Sequence, residues 1–217
     1  MISMALFHAT YDLAYIYGFQ LSWFTQGVFQ DVWRASISWV FLFIAGWMCS
    51  YSRNNAKRAL KYGVAALLVW LATSLASVDD SINFGIIFCM AASTALFTVL
   101  KPLLNRIDWK LGLTACLALF ALTWSVPRGV YPVAGFAWLG FPYPGFISGD
   151  YYPVIPFAFM YLSGWFASKG FSNKEFSTWM QVGVCKPLER LGRHALPFYL
   201  LHQPIILMVL DVVVTAR

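Results

Sequence analysis

The chain has 217 residues and a net charge of +6, with 60% hydrophobic, 18% aromatic and only 11% charged residues. Soluble domains carry roughly 25% charged residues, so a soluble globular fold is excluded and an all-α integral membrane protein is expected. The positive balance does not call for nucleic acid, because the basic residues lie scattered along loop rims without interleaved aromatics.

Seven apolar stretches follow one another at about 1–17, 34–50, 62–76, 84–100, 111–126, 154–168 and 196–213. Each approaches the roughly 20 residues needed to cross a bilayer. They predict one polytopic domain over 1–217, a bundle of about seven transmembrane helices. The first stretch lacks the basic n-region and small-residue cleavage site of a signal peptide, so it is expected to stay as the first helix.

That first stretch also carries His8 and Asp12, four residues apart and therefore on one helical face. A central Asp in a membrane helix costs on the order of 2.5–3.5 kcal/mol unless it faces a bundle interior or water. A satisfied core pair is one reading. The other is an imidazole general base whose tautomer is fixed by a carboxylate.

Between the first two spans stand Asp31 and Arg34. Arg34, at the mouth of the second span, is open to three readings: binding an anion, pairing with Asp31 or Asp12, or snorkelling. Beyond it the charges fix an orientation. Twelve of the fifteen Lys and Arg residues fall in the groups 53–61, 101–110 and 169–193. In a seven-span chain all three groups share one side, which the positive-inside rule makes cytoplasmic. The N-terminus is then inside and the C-terminus outside. The four cysteines show no CxxC spacing and read as free thiols, with neither a disulfide framework nor a metal site expected.

The connection 127–153, dense in proline, glycine and aromatic residues, cannot be helical and is too apolar to float. It is expected to pack across the outer mouth, with Trp138, Tyr143, Tyr151 and Tyr152 at headgroup level. Asp150 closes it, either as a helix N-cap or as a binding carboxylate at that mouth. The cytoplasmic connection 169–195 places Phe176, Trp179, Met180 and Val184 at helical spacing, the pattern of an amphipathic surface helix. In the last span Pro204 follows His202 and Gln203; a proline frees a backbone carbonyl and bends the helix, and such helices often line cavities. At about 1.5 Å per residue, His8 and His202 both lie roughly 10 Å from the cytoplasmic ends of their spans and can meet at one level.

The pieces FHATYDL at 7–13, FLFIAGW at 41–47, NFGIIFCMA at 83–91, SGDYYPVIPF at 148–157 and LGRHALPFYLLHQP at 191–204 carry a resemblance. In this order they resemble the bacterial members of the heparan-alpha-glucosaminide N-acetyltransferase catalytic-domain family. The resemblance implies a multi-pass acyltransferase of the bacterial plasma membrane. It would take an acetyl or other acyl group from cytoplasmic acyl-CoA and pass it to a hydroxyl or amine of a saccharide or glycolipid at the outer face. His8 and Asp12 would then be catalytic, with His202 and Gln203 polarising the thioester or placing the acyl chain, and Arg34 and Asp150 binding substrate. The chain departs from the family at Phe88, where bacterial relatives commonly have His. No histidine lies between His8 and His194, the stretch where the animal enzymes hold the histidine responsible for transfer. A role for His8 thus rests on its own chemistry and on the FHxxYDL pattern. Two other readings stand beside this one: a transporter or assembly factor that uses the buried pair for a proton or solute path, and an envelope polysaccharide O-acyltransferase. An oligomer is compatible with the sequence.

Overall fold

In the computed structural model the described residues are 1–76, 80–171 and 185–215, and all their regular structure is helical. The helices are α1 (Ile2–Tyr15), α2 (Ser22–Thr25), α3 (Phe29–Trp47), α4 (Asn55–Ala76), α5 (Ile86–Leu104), α6 (Trp109–Leu122), α7 (Val154–Phe171), α8 (Lys186–Arg193) and α9 (Ala195–Thr215). A 3-10 turn covers Val126–Arg128. Each of the seven expected spans overlaps one of the longer helices, with ends that differ by a few residues. Four segments are long and apolar enough to cross a bilayer: Asn55–Ala76, Ile86–Leu104, Trp109–Arg128 and Ala195–Val214. The surface helix expected around Phe176 to Val184 lies outside the described residues.

The contacts group the chain into two compact units, the first made of Met1–Ser38 with Phe176–Arg217 and the second of Trp39–Glu175. In the first unit α1 packs on α9, and α8 leads into α9. Phe24, fully buried on the short α2, sits edge-on to Phe7 at 5.6 Å and to Trp33 at 6.1 Å between ring centroids. Trp33 is in turn tied to α1, its indole Nε1 donating to Ser3 Oγ at 2.8 Å. These three rings fix the start of α3 against α1.

The second unit is built around α7, which is buried at nearly every position from Val154 to Ser168. It packs against α5 and α6, and α4 packs on α5. Two glycines allow α3 to approach α7. A Cβ on Gly46 would lie 1.7 Å from the Tyr161 carbonyl oxygen, and one on Gly164 would lie 1.9 Å from that of Phe43. Small residues at such crossings let backbones touch where lipid supplies no hydrophobic drive. At the centre the Tyr161 hydroxyl, fully buried, is 2.6 Å from Thr94 Oγ1 and 3.0 Å from Cys49 Sγ.

The connection after α6 packs as its composition demands. Its backbone amides at Gly149 and Tyr152 donate to the carbonyls of Ser81 and Phe84, and those of Val154 and Ile155 donate to Trp138 and Leu139. Tyr152 and Ala137 are buried, while Trp138 and Tyr143 stay exposed.

Candidate functional site

The polar residues of α1 and α9 meet along the seam between these helices. His8 and His202 lie edge to face with ring centroids 4.9 Å apart. One turn further along, the Gln203 side-chain Nε2 donates to both carboxylate oxygens of Asp12 at 2.9 Å each. At the far end the Tyr17 hydroxyl donates to the Asp211 carboxylate and lies 3.4 Å from the Leu207 carbonyl. The pairs run 8 with 202, 12 with 203 and 17 with 211, so the two helices are parallel.

The sequence expectation that the two histidines share a level agrees with this geometry. The partnership differs from the expected one in detail. Asp12, with 0% of its surface exposed, is gripped by Gln203. His8 makes no hydrogen bond among the described residues; its ring neighbours are Phe7 and His202. No local signal foretells this, since Asp12 and Gln203 are 191 residues apart.

His202 is fixed from its own helix. Its Nδ1 lies 2.6 Å from the Tyr199 carbonyl oxygen, which only accepts, so Nδ1 carries the hydrogen and in the neutral ring Nε2 is left with a lone pair. That Nε2 is buried and has no hydrogen-bond partner among the described residues; the same holds for Gln203 Oε1. A buried polar atom left unserved costs about 1–3 kcal/mol. These two stand on consecutive residues of α9, whereas most buried polar atoms find a partner. Pro204, directly after them, cannot donate the helical N–H to the Leu200 carbonyl.

The remaining expected residues lie elsewhere. Arg34 pairs with Asp31 at 2.8 Å, and both side chains are more than half exposed, at 57% and 73%. Asp150, in the second unit, brings Oδ2 to 3.4 Å from the backbone N–H of Ile86 at the start of α5. It therefore sits at the N-terminus of α5, one of the two possibilities read from the sequence, though the helix is not the one that follows it in the chain. The Tyr17–Asp211 pair was not singled out from sequence; the signal available was an acidic residue inside the last apolar run. The Tyr199 carbonyl that orients His202 left no signal at all, because any residue type supplies one.

A family model described as heparan-alpha-glucosaminide N-acetyltransferase, catalytic, matches residues 1–204. No curated protein and no solved structure matches the chain.

Proposed function

The chain belongs to the heparan-alpha-glucosaminide N-acetyltransferase catalytic family, and from that premise we propose a membrane-embedded acyltransferase that joins a cytoplasmic acyl-CoA to an outer-face acceptor. The family name supports transfer of an acetyl group. The acceptor is a hydroxyl or amine on a saccharide-like molecule. The fold is read as seven crossings with the N-terminus inside.

One observation carries the chemical reading: the bare, buried Nε2 of His202, held in that tautomer by Tyr199 and set against a second imidazole. A neutral imidazole nitrogen with a lone pair is the general base that acyl transfer needs. His202 Nε2 takes the hydrogen of the acceptor O–H or N–H as that atom attacks the thioester carbonyl carbon. The C–S bond breaks, the new C–O or C–N bond forms, and the proton passes to the departing CoA thiolate. His8, ring to ring with His202, is the group we assign to hand that proton on. Gln203 has a different part from the one expected of it. We assign it to holding Asp12 through its side-chain Nε2 in place of polarising the thioester.

The test is direct. Purified protein in detergent, given acetyl-CoA and an amine or hydroxyl acceptor, should release CoA and label the acceptor. A transporter or assembly factor would do neither, and absence of both products with a folded sample would sink the reading.

A further inference from the structure

The orientation of the Gln203 carboxamide is set by chemistry. A carboxylate only accepts hydrogen bonds, so the NH2 end of Gln203 must face Asp12, as the two 2.9 Å contacts have it. Turning the amide over would set Oε1 against the carboxylate oxygens of a fully buried Asp12. Oε1 therefore points away from Asp12, and it is buried without a partner among the described residues. His202 is polarised in the same sense by Tyr199. Consecutive residues of α9 thus offer two acceptor atoms.

We propose that Asp12 and Gln203 form a specificity element: Asp12 is a positioning residue that locks the Gln203 amide with its oxygen toward the substrate. The acceptor molecule must then carry a second hydrogen-bond donor beside its nucleophilic group, as in a vicinal diol or an amino alcohol. The nucleophile gives its hydrogen to His202 Nε2 and the neighbouring donor is received by Gln203 Oε1. An acceptor with an ether at that second position would bring oxygen to oxygen and leave Oε1 unserved, the arrangement that discriminates most strongly in buried sites. The identity of the ligand as the acyl acceptor rests on the acyltransferase reading; the polarity of the pair does not. Both atoms are sealed from solvent, so entry displaces the side chains that cover them.

The experiment uses the full chain in detergent with 15N-labelled glutamine side chains. The probes are ethanolamine and 2-methoxyethylamine, which share the amine and differ only in whether the second oxygen carries a hydrogen. The Gln203 amide signal is identified by its loss in Gln203→Met, and its shift reports binding. Acetylation of each amine by acetyl-CoA is followed in parallel. Wild type should favour ethanolamine by roughly 10- to 100-fold. In Asp12→Asn the new carboxamide can donate to Gln203 Oε1, the amide can turn over, and the preference should fall to about one or reverse. Gln203→Met should lose it as well, with acetylation of the two amines as its readout. Equal response to the two probes in wild type, no response to either, or a wild-type preference that survives both substitutions would each overturn the proposal. A binding preference without acetylation of either amine would overturn the acyltransferase reading and leave the lock standing. Equal acetylation of both would do the reverse.

Discussion

Replacing His202 by Phe separates a reacting imidazole from a packing one. The ring is of similar size and already lies parallel to Phe198, with centroids 6.1 Å apart, so little repacking is required. The substitution removes the orphaned Nε2, which relieves about 1–3 kcal/mol, and removes the bond from Nδ1 to the Tyr199 carbonyl, which forfeits about 0.5–1.5 kcal/mol. The balance lies between a loss of about 0.5 and a gain of about 2.5 kcal/mol in stability. Turnover should nevertheless fall by roughly 10²–10⁴-fold, the scale of lost general-base help. Thermal unfolding and CoA release are measured on the same detergent-purified sample. The reasoning is refuted if His202→Phe loses stability by more than about 2 kcal/mol, as removal of a structural buried polar partner does. It is equally refuted if CoA release persists near the wild-type rate in a folded sample.

Gly46→Ala and Gly164→Ala should each sharply reduce the yield of folded protein, because the added carbon meets backbone atoms that cannot turn aside, whereas Gly63→Ala, with nothing within 4 Å, should be neutral or stabilising by about 0.5–1 kcal/mol in thermal unfolding. Asp150→Asn should cost about 0.5–1 kcal/mol of stability through the start of α5 and leave CoA release unchanged; loss of release at full stability would make Asp150 a binding residue. Arg34→Gln should shift unfolding by no more than about 1 kcal/mol, since its Asp31 pair is exposed, and an effect confined to KM for the acceptor would give Arg34 the binding role read from sequence. Reporter fusions at 56 and 107 should give cytoplasmic signals and one at 140 an external signal.

What the sequence made legible followed from the solvent. Lipid forces each crossing to satisfy its own backbone, so long apolar runs declared helices without any knowledge of their packing, and four segments are long and apolar enough to cross. Charged atoms in such runs are costly, and for that reason His8, Asp12 and His202 stood out before their partners were known. The partners did not, because which side chains face each other across α1 and α9 is decided by the rotation of each helix about its axis. That rotation places Gln203 on Asp12 and turns His202 to His8. The short α2 was missed for another reason: its four residues, Ser22–Thr25, have no room for a period, and it is held by Phe24 against distant rings. Asp150 was read as either a helix N-cap or a binding carboxylate, and nothing local told which helix it would meet; hydrogen bonds of the loop to Ser81 and Phe84 bring it to α5.

The parallel course of α1 and α9 also bears on topology. Two helices that run the same way and both cross a bilayer must have an odd number of crossings separating the start of the first from the end of the second. Residues 8 and 12 of α1, and Tyr17 just beyond its end, run in step with 202, 203 and 211 on α9, as the odd number of crossings in the proposed topology requires. The clustering of basic residues in 53–61, 101–110 and 169–193 supports the same reading from independent physics, since it depends on charge and not on packing. Along this seam the histidines stand nearest the starts of both helices and the Tyr17–Asp211 pair nearest their ends. With the starts cytoplasmic, the imidazoles lie toward the side from which the proposed acyl-CoA would arrive. Asp12 and Gln203 lie between them and the outer face, where an acceptor would have to pass before it reached the base. An external signal from the fusion at 56 would reverse that order and remove the lock from the acceptor's path.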